Sequence, residues 1–184
     1  MVTQTHRFSV ADFYRMGEAG ILRDDQRVEL LEGEISDMMP IGPYHSSLVD
    51  TLMRFFVKAD NGSYLLRVQN PVRLSEFSEL IPDIALVAPR SHLYREAHPA
   101  AEDTLLIIEV ADSTVTRDRD IKLPLYARAG MEEVWIVNVP MRQVEVYREP
   151  DFLDFKRKTI LKPGQSAAPA AFPNISIVVD DLLG

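Results

Sequence analysis

The chain contains no cysteine. Disulfides and thiolate metal sites are therefore excluded, and any bound metal must be held by oxygen or histidine. No apolar run approaches the ~20 residues that a membrane-spanning helix needs, and the opening MVTQTHRFSV lacks the charged-then-apolar pattern of a secretion signal. A cytoplasmic protein is the expectation. Neither an internal repeat nor a second domain is visible, so residues 1–184 are expected to form one domain with a real core. Basic residues are also scarce: 20 Lys and Arg stand against 28 Asp and Glu, a net charge of −8. That balance argues against tight, sequence-indifferent binding of nucleic acid, although a local basic patch suffices for phosphate contact. An acidic cluster built around a divalent cation would itself add to the negative count. Hydrophobic and charged contents of 46% and 26% are ordinary for a globular protein.

What is present centres on the stretch from Leu105 to Val139. Leu105, Leu106, Ile107 and Ile108 make an apolar run of strand length. Glu109 follows inside the same run, and a carboxylate there is costly to desolvate unless a cation or hydrogen-bond donor meets it. Ser113, Thr114 and Thr116 are good helix N-caps, and a polar helix is predicted to close at Ala129-Gly130. Glu133 to Val139 is a second apolar strand. Strand, helix and strand over about thirty residues predict a right-handed parallel crossover. Ligand sites of such units lie at the carboxyl ends of the strands, where Glu109 stands.

The remaining segments surround this unit. Ser9 caps a helix from Val10 to about Glu18, with Phe8 and Phe13 as a staple. RVELLEGEI alternates and turns at Glu32-Gly33, as a hairpin does. His45 opens a helix with Leu48, Leu52, Phe55 and Phe56 on one face. Tyr64–Gln69 and Val72–Leu74 read as strands, SEFSEL as a polar loop, and IPDIALVA as a strand opening with Pro82-Asp83. Residues 90–103 read as a surface loop. Gln143–Arg148 and Lys156–Leu161 are expected to be strands, KPGQSAAPAAFP a connector, and ISIVV a last short strand.

Asp83 and Glu109 stand out as carboxylates set against apolar strand sequence. Two such oxygens from adjacent strands, a backbone carbonyl and waters are what an octahedral Mg²⁺ or Mn²⁺ accepts. The bland alternatives are a turn aspartate after proline and a glutamate paired with a buried arginine. Lys122 lies four residues after Asp118, so the two share a helix face and can pair; the alternative is a solvated surface pair. Pro124 either kinks that helix or marks where its regular part begins. Glu29 and Glu34, on the hairpin, are further candidate carboxylates or else solvated charges. His45, at a helix start that favours phosphate, is a candidate for substrate contact or proton transfer, or only a cap. Gln69 is a remote candidate. Tyr126, Trp135 and Tyr147 read as core. Arg117, Arg119 and Arg128 offer a basic face on the crossover helix, or a solvated one.

Pro82-Asp83 followed by an apolar strand ending in Glu109 resembles the P-D…(D/E)-x-K signature of restriction-endonuclease-like nucleases. The segments RVELLEGEI, GPYHSSLVDTL, IPDIALV, IIEVADST and DRDIKLPLYARAGMEEVWIVNV, in that order, are similar to the Uma-type endonucleases, formerly a domain of unknown function, and the likeness extends to the closing KPGQ…FPNISIVVDDLL. The resemblance implies a mixed α/β (α+β) fold, a restriction-endonuclease-like mixed sheet flanked by helices, with an extra N-terminal hairpin and C-terminal strands. It implies Asp83 and Glu109 as metal ligands, with the Val110 carbonyl beside them. The signature lysine would stand at position 111, which is Ala111; in this branch it has moved to the following helix, where Lys122 occupies its place. Asn138 departs from the aspartate usual in the branch.

The function so implied is hydrolysis of DNA phosphodiesters through a water activated by Mg²⁺ or Mn²⁺, with DNA rather than RNA resting on family analogy alone. Asp83, Glu109, Lys122 and His45 would carry the chemistry, and a homodimer would suit a small nuclease acting on two strands. The rival reading is a catalytically silent nucleic-acid-binding or assembly module that keeps the nuclease fold.

Overall fold

The computed structural model describes residues 5–23 and 25–184. Ser9 caps helix α1 (Val10–Glu18), its hydroxyl accepting from the Asp12 amide while Asp12 returns a bond to the Ser9 amide. This reciprocal pair satisfies two N–H groups that a bare helix start would leave orphaned. Strands β1 (Val28–Leu31) and β2 (Glu34–Asp37) form the expected hairpin. Its turn uses Gly33 at φ 85°, and a Cβ there would lie 2.5 Å from Cβ of Arg7, so only glycine fits. Helix α2 (Pro43–Ala59) starts on a proline at its first turn, two residues before His45.

Strands β3 (Leu65–Val68), β4 (Val72–Ser75), β5 (Ser78–Leu80) and β6 (Ile84–Val87) follow. The expected polar loop SEFSEL is in fact a hairpin: β5 pairs with both β4 and β1. Its polar side chains find partners inside the protein, Ser78 accepting from the Glu32 amide and Glu79 from the Tyr14 hydroxyl, which is why polarity misled. Strand β7 (Thr104–Ala111) leads through the crossover to β8 (Glu133–Asn138), and β9 (Gln143–Asp151) and β10 (Asp154–Leu161) make a long hairpin. Two short strands, β11 (Ser166–Ala167) and β12 (Ile177–Val178), pair near the C-terminus. The expected last strand ISIVV turns into a helix after two strand residues, as Val179–Leu183 closes the chain.

The larger sheet runs β10-β9-β8-β7-β6-β3, antiparallel except for the predicted parallel pair β7–β8. The smaller runs β2-β1-β5-β4. Side chains alternate across a strand, and the larger sheet is buried on both faces. Ile84, Leu86, Leu106, Ile108, Trp135 and Val137 pack with helix α2 on one side. Ala85, Val87, Ile107, Ala111, Val134 and Ile136 pack on the other, against the crossover helix and Val72 and Leu80 of the smaller sheet. Asp83 and Glu109 share the parity of this second face. The register Ile84↔Ile108, continued by one residue, sets them opposite each other at the ends of β6 and β7.

The crossover departs from a plain helix. A three-residue turn, α3 (Val115–Arg117), passes into a π-helical turn (Asp118–Lys122) and then into α4 (Leu123–Arg128). Pro124 has no N–H and its ring excludes the carbonyl four residues back, so the ladder widens just before it: the Leu123 amide bonds to Asp118 O, five residues earlier.

Candidate active site

The cleft at the ends of β6 and β7 is lined by Glu29, His45, Gln69, Asp83, Glu109 and Lys122, with Arg117, Asp118 and Thr114 on the crossover side. It offers about 70 Å³, room for a few water-sized groups at the ~10–15 Å³ each requires.

Asp83 is held from three sides. The Val110 amide, lying past the start of β6 and so without a strand partner there, donates to Oδ2 at 2.8 Å. His45 Nε2 meets the same oxygen at 3.0 Å, and Gln69 Nε2 donates to Oδ1 at 3.1 Å. Burial would raise this carboxyl, but His45 and the two amide donors hold it below the ordinary aspartate value. Each carboxylate oxygen carries two acceptor sites, so Oδ1 keeps one for a further partner. Gln69 grips Asp83 twice, its own amide bonding Asp83 O at 3.0 Å, and it does so from a left-handed conformation at φ 49°. Such strain in a non-glycine residue persists only where the surroundings impose it.

Glu109 is 3% exposed. Its Oε1 accepts from Lys122 Nζ at 3.1 Å and from the Tyr126 hydroxyl at 2.6 Å. Among the described residues no donor reaches Oε2. Burial pushes the carboxyl up to about 8 against the pull of Lys122, with Asp118 and Asp83 adding to the rise. Lys122 is 6% exposed. Burial alone would lower it, yet Glu109, Glu29 and Asp118 outweigh burial and hold it above the ordinary lysine value. Lys122 is thus a fixed positive charge.

Glu29 reaches the cleft, where three donors meet it. Arg117 Nη2 takes Oε1 at 2.8 Å, while the Ile81 amide and Lys122 Nζ, at 3.3 and 3.6 Å, take Oε2. It anchors two cations, Arg117 and Lys122, and by the same count as for Asp83 its Oε1 keeps one acceptor position. Asp118 also lines the cleft, but among the described residues it makes no ion pair with Lys122; the Thr114 hydroxyl donates to its Oδ2 at 2.6 Å. The expected i,i+4 pairing fails because the widened turn aims Lys122 inward, at acids on the sheet and hairpin. Thr114 likewise spends its hydroxyl on Asp118 and makes no backbone cap. Glu34 is exposed on β2 and lines no part of the cleft. His45 does not merely cap α2: Nε2 is on Asp83, Nδ1 is buried without a partner, and the Asp83 bond raises its pKa.

The three crossover arginines form no common face. Arg117 binds Glu29, Arg119 binds Glu145 on β9, and Arg128 binds Glu32. Sequence reasoning placed Tyr126 in the core and missed its role on Glu109; the available signal was tyrosine, not phenylalanine, four residues after Lys122 at a position that must be buried, since a buried phenol needs a partner.

Among the described residues no three of His, Asp and Glu converge as a ready-made metal cage. The donor set nevertheless fits a hard cation that keeps much of its water: one remaining acceptor position on Asp83, an uncommitted Oε2 on Glu109, and room for a few waters.

Residues 10–180 match the model of a family described as "Uma2: Putative restriction endonuclease". No curated protein matches the chain. A solved structure, described as that of "a putative nuclease belonging to DUF820 from Anabaena variabilis ATCC 29413", superposes with a TM-score of 0.72 at 16% identity, over 96% of this chain and 97% of that one. That likeness shows a shared fold, and the family match over nearly the whole length shows that the chain belongs to the Uma2 family.

Proposed function

We propose that the protein is a divalent-metal-dependent endonuclease acting on DNA. The observation that carries this reading is the juxtaposition of Asp83 and Glu109 at the ends of two neighbouring strands, with the Lys122 ammonium 3.1 Å from Glu109 in one cleft. Asp83, Glu109 and the Val110 carbonyl would hold Mg²⁺ or Mn²⁺. Such an ion, when bound, supplies Lewis-acid stabilisation of phosphoryl charge and a more acidic water.

The chain's own groups divide the remaining work. Lys122, firmly charged, cannot take a proton; it neutralises negative charge developing on the phosphate, where a preformed donor in a dry site is most effective. Glu29 holds it in place and fixes Arg117 on the cleft wall, where the guanidinium can meet a neighbouring phosphate. Gln69 and the Val110 amide orient Asp83. His45 lines the cleft with Nε2 on Asp83 at 3.0 Å, and that is the ring atom at which it can exchange a proton.

The test is cleavage of supercoiled plasmid with Mg²⁺ or Mn²⁺. Asp83→Asn and Glu109→Gln are expected to abolish cutting, with folding checked by melting, and titration calorimetry is expected to show divalent binding that Asp83→Asn removes. Absence of any divalent binding by the native chain would sink the proposal.

A further inference from the structure

We propose that a second pocket, on the opposite side of the smaller sheet from the cleft, binds a nucleoside monophosphate. This pocket of about 340 Å³ lies between α1, the β4–β5 hairpin and residues 94–98, within the ~300–1,000 Å³ range of small-molecule sites. None of its lining residues lines the cleft. The register explains the separation: Leu30 pairs with Glu79, so Glu79 shares a face with Leu30 and points away from the face of β1 that carries Glu29.

Three features select the ligand. The first is a group of arginines that, among the described residues, make no ion pair, even with Glu79 and Glu96, the two carboxylates on the same lining. Arg73 and Arg95 line the pocket, and Arg67 reaches His98 at its back, Nη2 to Nδ1 at 3.3 Å. Among the described residues none of these three arginines has a carboxylate partner, and the buried Nε of Arg67 has no partner at all. A phosphate would provide what the guanidinium groups lack. The second is ring surface: Tyr14 and His98 lie 29° from parallel with centroids 6.3 Å apart on the pocket wall, a platform of the kind on which a base stacks. The third is Glu79, 5% exposed, whose Oε1 accepts from the Tyr14 hydroxyl at 2.5 Å. No donor among the described residues meets Oε2, which is left to accept from an amino group on a base edge. Anion, planar ring and amino donor together describe a nucleotide better than a free phosphate, an acidic peptide or a sugar. The wall is held by backbone in the left-handed region at Leu93 and Tyr94, φ 50° and 57°, a conformation kept only under constraint.

The test titrates the full chain with GMP, guanosine and inorganic phosphate, by calorimetry and by amide shifts of residues 94–98. Saturable GMP binding is expected, with a Kd of roughly 0.1–1 mM, tighter than for guanosine or phosphate. Arg73→Gln should weaken it about tenfold or more, the effect of one charge-assisted hydrogen bond, and Asp83→Asn should leave it unchanged. Arg95→Gln asks the same question should Arg73→Gln melt abnormally. No binding, phosphate binding as tightly as GMP, or loss of binding in Asp83→Asn with retention in both arginine variants would overturn the assignment. None of these outcomes depends on whether the cleft cleaves DNA.

Discussion

An ammonium group withdrawn from water costs several kcal/mol unless acids meet it at close range. Lys122 is met by Glu109 at 3.1 Å and Glu29 at 3.6 Å, with a side chain only 7% exposed. Removing the lysine leaves Glu109 with no cation and Glu29 with Arg117 alone, so Lys122→Gln should cost about 3–5 kcal/mol in urea unfolding. Pairing it with Glu109→Gln removes the acid left without a cation and should restore part of that loss. A double-mutant cycle showing no coupling between the two positions would contradict the geometry. The residue scale is also where the sequence was least complete. Asp83, Glu109 and Lys122 were visible because charged groups in apolar surroundings are conspicuous. Tyr126 was not, because a tyrosine in a helix looks like core, and Gln69 was only a remote candidate, because the left-handed position that brings it onto Asp83 is itself neither glycine nor asparagine.

At the scale of elements, the inward aim of Lys122 depends on a π-turn that a further carboxylate holds from behind. Arg119, inside that turn, meets both oxygens of Glu145, with Nε to Oε2 at 3.0 Å. Glu145 is fully buried and also accepts from Asn138, Gln143, Tyr147 and Lys158. Burial would raise this carboxyl, but Arg119 first, then Tyr147, Asn138 and Lys158, hold it far below the ordinary glutamate value. A folded-state pKa below the unfolded ~4.3 contributes stability that is present at neutral pH and lost as pH falls through the acid range. Glu145→Gln should therefore cost about 1–3 kcal/mol at pH 7, since Arg119 and Lys158 are partly exposed and can turn to solvent. The gap between native and variant should close as the medium is acidified below about pH 4, measured by denaturant titration at several pH values. Arg119→Gln should loosen the turn itself: the Leu123 amide, bonded across it to Asp118, should exchange faster with solvent while strand β7 amides keep their protection. The strands around this turn were legible because apolar runs and turn residues are local signals. The π-turn was not, because Pro124 announces a disturbance without saying whether the helix kinks, breaks or widens, and Glu145, the partner of Arg119 inside the turn, lies 26 residues away in sequence. SEFSEL failed for a related reason, since its polar side chains are satisfied by partners distant in the chain.

At the scale of the whole molecule, the proposed function requires an acidic protein to meet an acidic polymer. With a net charge of −8, long-range steering repels DNA, and attraction must come from the few cations that face the cleft. These are Arg27, Arg117 and Lys122, with His45 contributing when protonated. The other crossover arginines are turned away onto Glu145 and Glu32. Affinity for DNA falls with salt at a logarithmic slope of about −0.9 per phosphate neutralised, so three cations give a slope no steeper than about −3. Binding of a short duplex by the Asp83→Asn chain, followed by fluorescence anisotropy over a range of salt concentrations, should show this shallow dependence. Arg27→Gln should reduce the slope by about one, since that side chain lines the cleft and, among the described residues, has no acidic partner to release. Arg119→Gln should leave the slope unchanged, because that side chain lines no part of the cleft. A slope several units steeper would mean that a basic surface outside the cleft carries the contact.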